Sequence, residues 1–386
     1  MAKRIYLDNG ATTETDPLVV DAMLPFFTKK YGNASSLHSF GREAKEAIEI
    51  NRKIIADSIG ASPEEIVFTS GGTEADNLAI KGIALHMKEK GKNHIITTKI
   101  EHPAVLNTCK ILERKGISVT YLDVDPEGFI DIKELEKKIT AKTCLVSVIH
   151  ANNEIGTIQD IEKIGSLCRK KGVLFHSDAV QSFTKVPINV RKMKIDLLSV
   201  SGHKIHGPKG IGALFVDKNV SIQPQMHGGE QEKIRRAGTE NTAGIVGFGK
   251  AVELASKKEH VKKMAELRDH LIKKVEKEIS DVKLNGPKGS KRLCNNISFS
   301  FNYVEGESVL LHLDNFGIAV STGSACSQIN LRPSHVLEAI GLPHEVVHGT
   351  IRFTISRFTK KEELDYAVDK LKEVIEKLRK ISPLAK

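Results

Sequence analysis

Cysteine is scarce in this chain of 386 residues: Cys109, Cys144, Cys168, Cys294 and Cys326 are all it has. The number is odd and no two of them form a C-x-x-C pair, which excludes a zinc ribbon or a dithiol redox motif. Long apolar runs are missing too. None approaches the roughly 18 residues of a membrane-crossing helix, so neither a membrane span nor a membrane partner is expected. The opening Met1-Ala-Lys-Arg-Ile-Tyr-Leu-Asp carries two basic residues with no apolar stretch behind them. A secretory signal is therefore not expected, the cytoplasm is the expected compartment, and disulfides are not expected. Internal repeats and low-complexity tracts are also lacking. With 40% hydrophobic and 27% charged residues, 30 Gly and 12 Pro, the composition excludes collagen-like, disordered and coiled-coil chains.

What is present begins with a modest basic excess, +10 from 58 Lys and Arg against 48 Asp and Glu. A nucleic-acid binder concentrates such charge in one stripe or arm. Here the densest basic stretch, Lys257 to Arg292, is interleaved with Glu259, Glu266, Asp269, Glu276 and Glu278. Val261, Met264, Leu267, Leu271, Val275 and Ile279 recur within it at helical spacing, which predicts an amphipathic helix with a wet charged face. No direct nucleic-acid partner is expected. Cys144 and Cys168 sit among apolar neighbours and read as small core residues. Cys326 lies in Ser-Thr-Gly-Ser-Ala-Cys-Ser-Gln, the composition of an exposed loop.

From about residue 45 to 216, β-rich runs alternate with helical patterns. Strands are expected at 66–69, 95–98, 119–122, 144–149, 173–176, 197–200 and 211–216, with helices over 74–87 and 104–113 among them. Such alternation predicts an α/β fold with a mostly parallel, mixed seven-stranded sheet covered by helices on both faces. After the basic helix the strands thin out, which predicts a smaller α+β domain. The division expected is residues 15–258 for the large domain, and 1–14 with 259–386 for the small one.

Three polar clusters fall where strands end, the usual place for ligands in open α/β sheets. Thr69-Ser-Gly-Gly-Thr-Glu-Ala-Asp-Asn puts Gly72 and Thr73 where a helix begins, so free N–H groups and the helix dipole would favour a phosphate. It lacks the Gly-Lys-Ser/Thr of a Walker A loop. His176-Ser-Asp-Ala-Val-Gln ends a strand on a carboxylate, Asp178, that needs a facing cation, either a protonated cofactor ring or a structural Arg or Lys. Ser201-Gly-His-Lys-Ile-His-Gly holds Lys204, a candidate Schiff-base lysine with a solvated loop lysine as the alternative. Metal binding by His203 and His206 is a rival, though no third ligand has convincing spacing. Phosphate cradle, acid and lysine together are the parts that pyridoxal phosphate requires.

These motifs, in order along nearly the whole chain, resemble the class V branch of the fold-type I pyridoxal-phosphate enzymes, and within it the cysteine desulfurases of the NifS/IscS type. The resemblance rests on Ile5-Tyr-Leu-Asp-Asn-Gly-Ala-Thr-Thr, Gly32-Asn-Ala-Ser-Ser-Leu-His, Ser70-Gly-Gly-Thr-Glu-Ala-Asp-Asn, Glu101-His-Pro-Ala-Val and His150-Ala-Asn-Asn-Glu-Ile-Gly. It continues through Asp178-Ala-Val-Gln, Ser201-Gly-His-Lys, Gly238-Thr-Glu-Asn, Val304-Glu-Gly-Glu-Ser, Ser324-Ala-Cys and Arg332-Pro-Ser-His-Val-Leu. Two departures stand out: Ala34 where the family has proline, and Glu230 and Ile234 where it commonly has glycines.

The resemblance implies a pyridoxal 5'-phosphate-dependent enzyme converting L-cysteine to L-alanine. Lys204 would be the Schiff-base lysine and the base at Cα, and His102 would stack on the ring and move protons. Asp178 would keep the ring nitrogen protonated, while Asn153 and Gln181 would bond the ring hydroxyl and help place the substrate. Gly72, Thr73, Ser201 and His203 match the phosphate site, and Thr239 matches a residue that reaches it from the other subunit of a homodimer. Arg352 would hold the substrate carboxylate, assisted by Asn33. Cys326 would attack the substrate sulfur as a thiolate and carry it as a persulfide to an iron–sulfur scaffold protein or another acceptor. No resident metal is expected, with Cys326 a transient iron–sulfur ligand at most. The competing readings are selenocysteine lyase and other class V enzymes, including aminotransferases and tRNA-dependent cysteine synthesis.

Overall fold

A computed structural model of the chain describes residues 4–322 and 333–383. Its strands, in chain order, are β1 (Ile5–Tyr6), β2 (Ile66–Thr69), β3 (His94–Thr98), β4 (Ser118–Leu122), β5 (Thr143–Ser147), β6 (Leu174–Asp178), β7 (Leu197–Ser201) and β8 (Gly212–Val216). They are followed by β9 (Val282–Leu284), β10 (Asn296–Phe301), β11 (Ile318–Ala319) and β12 (Thr350–Thr354). Seven of them form one sheet in the order β2-β8-β7-β6-β5-β3-β4. Neighbours from β7 to β4 run parallel, and β8 runs antiparallel to both β7 and β2. The expected mixed, mostly parallel sheet is what forms, with strand ends shifted by one or two residues.

Strands β2, β3, β5, β7 and β8 are buried from end to end, so their sequences read as largely apolar runs. The two-residue period of a strand then sends alternate side chains to opposite faces. Phe68, Ile96, Val146, Leu198 and Phe215 enter one core, under the helices Ser39–Ile59, Ile161–Lys171 and Thr242–Ala255. Val67, Ile95, Leu145, Leu197 and Leu214 enter the other, under Gly72–Lys88 and Pro103–Glu113. Cys168 lies in the first core and Cys109 and Cys144 in the second.

A third core lies around the antiparallel sheet β12-β10-β9 and the parallel pair β1-β11. The helices Lys258–Glu278 and Lys361–Ile381 cover it. Met264, Leu267, Leu271 and Val275 are buried on the first of these, as their spacing predicts. Arg268 is buried there too, which the charge pattern did not suggest; its Nη1 donates to the carbonyls of Arg292 and Leu293 at 2.8 and 3.1 Å. Ile5 and Leu7 belong to the same core, and the Thr354 N–H donates to the Leu7 carbonyl at 2.7 Å. Further along, the Thr13 N–H donates to the His203 carbonyl at 3.0 Å, so the N-terminal segment ties β12 to the turn after β7. No described helix is long and apolar enough to cross a membrane.

Candidate active site

The parallel strands all point their C-terminal ends to one edge of the sheet, where the chain must turn into loops and helix starts. A cavity of about 330 Å³ opens there. It is lined by Gly72, Thr73, His102, Asn153, Asp178, Gln181, His203, Lys204 and Arg352, together with Gly10, Asp76 and His335. Nine of the candidate residues are therefore brought together from segments far apart in sequence. Ser201 ends β7 at the same edge. Thr239 and Asn33 do not join them: both are exposed and neither lines the cavity of its own chain. Asn33 instead accepts the Ser35 N–H at 2.9 Å. Cys326 lies outside the described residues.

One end of the cavity is built for an anion. The helix Gly72–Lys88 starts at Gly71 with no side chain capping it, and a Cβ on Gly71 would meet nothing within 4 Å. Its first N–H groups and the positive end of its dipole face open space. Gly72 is required by contact, since a Cβ there would stand 2.6 Å from Val180 Cγ2. Ser201 Oγ is buried without a hydrogen-bond partner among the described residues. An orphaned hydroxyl and an uncapped helix start are what a cofactor phosphate would satisfy.

Asp178, the last residue of β6, is 4% exposed and accepts the Val180 N–H at 2.9 Å. Burial pushes its pKa up to about 6, opposed by that hydrogen bond and by Lys204. Two more buried carboxylates lie beside it. Burial and the charge of Asp178 push Asp76 well above the usual carboxylate range. Burial likewise raises Glu101 to about 8, although Glu101 accepts from Thr98 Oγ1 at 2.7 Å and the Ile149 N–H at 2.9 Å. Buried side by side, the three carboxylates cannot all ionise, and Asp76 and Asp178, which line the cavity, favour a cation facing them. A protonated ring nitrogen supplies one, and the residues present fit pyridoxal phosphate.

His102 caps the helix Pro103–Glu113: its Nδ1 accepts the Ala104 N–H at 3.1 Å, which leaves the ring proton on Nε2. Burial, then Lys204 and His335, lower its pKa to about 4, so the ring is neutral at pH 7. Lys204, in the 3₁₀ turn after β7, donates from Nζ to the carbonyls of Gly10 and Ala11 at 2.5 and 2.7 Å. Gln181 Nε2 donates to the same Gly10 carbonyl at 2.9 Å. Arg352 reaches in from β12, its Nη1 donating to the Asn153 carbonyl and its Nη2 to Asp8 Oδ1, both at 3.0 Å.

The described residues on either side of positions 323–332 are tied to this cavity. Ser321 exchanges two main-chain hydrogen bonds with Arg352, at 3.1 and 2.6 Å. Beyond it, Ser334 Oγ donates to Glu154 Oε2 at 2.5 Å and His335 Nε2 bonds the Glu101 carbonyl at 2.9 Å. Asp76, Glu101, Glu154 and His335 were not singled out from the sequence. The available signal was that each lies inside or next to a motif that carries the resemblance.

A family model described as "Aminotransferase class-V" matches residues 5–367. The Cysteine desulfurase IscS of Dictyoglomus turgidum is 54% identical over 385 residues, covering 99% of this chain and 97% of its own length. That of Methanosarcina thermophila is 51% identical, covering 99% and 94%. Among solved structures, a NifS-like protein superposes with a TM-score of 0.90 at 39% identity, covering 97% of this chain and all of that one. SspA, solved in complex with cysteine, superposes at 0.83 with 40% identity, covering 92% and 100%. Family match, whole-length relatives and cavity agree, and the chain belongs to the class V pyridoxal-phosphate enzymes, within them to the cysteine desulfurases.

Proposed function

We propose that the chain takes the sulfur of L-cysteine onto Cys326, releases L-alanine, and passes the sulfur to an iron–sulfur scaffold protein or another acceptor. The carrying observation is that Lys204, Asp178, His102 and Arg352 share one cavity to which both flanks of the Cys326 segment are anchored. Bound pyridoxal phosphate supplies a carbonyl carbon that condenses with amines and a ring that draws electrons from the substrate.

The protein's own groups do the rest. The start of helix Gly72–Lys88 and Ser201 hold the phosphate, Asp178 holds the ring nitrogen, and Arg352 orients the substrate carboxylate. Lys204 Nζ, once neutral, removes the proton at Cα, and His102 exchanges a proton through Nε2. The Cys326 thiolate attacks the substrate sulfur; an S–S bond forms as the carbon–sulfur bond breaks, and that electron pair leaves with the carbon. A proton at Cβ and one at Cα complete alanine.

The exposure of Thr239, outside its own cavity, supports a homodimer in which it reaches the partner's phosphate. The domain division at residues 14/15 and 258/259 and a cytoplasmic location belong to the same reading. Alanine and sulfide release from L-cysteine, with a thiol reductant present, tests it. Wild type should form both in equal amounts, and Cys326→Ala should bind cofactor yet release no sulfide. Full sulfide release by that variant sinks the persulfide role.

A further inference from the structure

Behind Lys204, on the side away from the cavity, lies a second and much smaller space of about 30 Å³. Thr184, Lys185, Lys204, His206, Asn295 and Arg357 are among its walls. Two of these have backbones that L-residues rarely adopt: Thr184 at φ +63° and His206 at φ +67°. A left-handed β-branched residue is a costly conformation, kept only where the surroundings require it. The Thr184 twist delivers Lys185 inward. Its Nζ donates to the main-chain carbonyl of Lys204 at 3.1 Å and to that of Gln181 at 3.0 Å. One half-buried ammonium thus joins the two turns that carry the amine and an amide of the active site.

The charges around it are uneven. Facing Lys185 and Lys204 are Cys294 from the segment before β10, His203 and His206 from the turn after β7, His260 from the helix Lys258–Glu278, and Arg357 from after β12. Across the main cavity stand His102 and Asp178, and Lys209 adds to the charge felt by His203. Arg357 is itself paired with Asp16 at 2.6 Å, whereas no carboxylate among the described residues pairs with Lys185, and burial raises the nearby Cys294 thiol to about 11 and keeps it neutral. Burial lowers the Lys185 ammonium to about 8. Its field reaches the site, since it helps to hold both His203 and His206 low. A half-buried cation with no carboxylate beside it is costly, so its placement against the Lys204 carbonyl calls for a function.

We propose that Lys185 is a positioning residue for Lys204: its ammonium clamps the carbonyls of Lys204 and Gln181 and keeps a positive charge behind Lys204 that favours its uncharged nitrogen. A neighbouring cation is a known means of making a lysine nucleophilic near neutral pH. The inference rests on Lys204 being the lysine that links to the cofactor.

The test is the visible absorbance of the holoenzyme against pH, without substrate, in wild type, Lys185→Met and Lys185→Arg. The band reports the proton on the nitrogen joining Lys204 to the cofactor. Lys185→Met should keep the colour and move the midpoint up by about one pH unit, while Lys185→Arg should restore the wild-type midpoint. If Lys185→Met does not hold cofactor, Lys185→Gln, which still donates to a carbonyl but carries no charge, reads the same shift. A lowered melting temperature with an unmoved midpoint would mean a merely structural lysine and overturn the proposal. Colour that persists in Lys204→Ala would instead overturn the reading of Lys204 beneath it.

Discussion

Arg352→Lys isolates the substrate-binding step. Arg352 sits in β12 opposite Ser298, with its side chain 3% exposed. The Asn153 carbonyl and Asp8 each take one terminal nitrogen at 3.0 Å and thereby fix the plane of the guanidinium against the cavity wall. Lysine keeps the charge and still pairs with Asp8, so that half-buried carboxylate is not abandoned. What it loses is the fork: a single ammonium cannot satisfy Asn153 and Asp8 and also bind a carboxylate in bidentate fashion. A lost hydrogen bond to a charged group costs about 1.5–3 kcal/mol. At 1.36 kcal/mol per factor of ten, KM for L-cysteine should rise roughly 10- to 150-fold. The kcat should stay within a few-fold of wild type, because Lys204 and His102 are untouched. Alanine release over a range of L-cysteine concentrations gives both constants. A KM within twofold of wild type, with the cofactor bound, would refute the assignment of Arg352 to the carboxylate.

Lys204→Ala should abolish the lysine-linked cofactor absorbance while the fold persists by circular dichroism, and a variant that keeps that absorbance is incompatible with the role given to Lys204. Glu232→Ala should lower the melting temperature by roughly 3 °C or more, since Arg52 keeps Glu49 at 3.1 Å but loses its charged hydrogen bonds to Glu232, worth about 1.5–3 kcal/mol, and each kcal/mol moves a large domain by about 2–4 °C. Glu232 accepts from both Arg52 terminal nitrogens, at 2.7 and 2.8 Å, and from the Phe68 N–H at 2.8 Å. It also begins three consecutive left-handed residues, Glu232, Lys233 and Ile234, on the way to Thr239, so the variant should also weaken cofactor retention; unchanged melting would refute the clamp. Stability should fall between pH 6.5 and 4.5. Burial holds His102, His150, His203 and His206 to about 4 and His176 to about 3, so the unfolded chain takes up their protons first and their contribution, full above about 6.5, is lost as pH drops. Asp178, Asp76 and Glu101, all raised, act in the opposite sense but are outnumbered. A melting temperature that is flat or rises over that interval contradicts this.

Much of the large sheet could be read directly. Runs such as Ile66-Val-Phe-Thr and Cys144-Leu-Val-Ser are short, β-rich and uniformly apolar because both faces of their strands are covered. Strand order was not readable, and neither was the antiparallel insertion of β8 between β2 and β7. Nothing within a strand records which neighbour it bonds. Among site residues, Asp178 and the Gly71-Gly72 helix start were visible because they close a strand and open a helix, and Lys204 because it stands in the short turn just after a strand. Glu101 and Asp76 were not, since a carboxylate in a helical or loop motif looks solvated until packing encloses it. Lys185 was hidden for the same reason: only the left-handed Thr184 turns it inward.

Local sequence, then, determined where strands and helices form and which side chains stand at their ends, because backbone sterics, apolar periodicity and helix starts act over a few residues. Tertiary structure decided what those ends meet. Lys204 finds the Gly10 carbonyl 194 positions away, and Arg352 finds Asp8 across 344. Burial there removed the water that would have screened them. Desolvation at the sheet edge holds His102 neutral and lifts three carboxylates, and no residue carries that property until the fold takes it out of solvent.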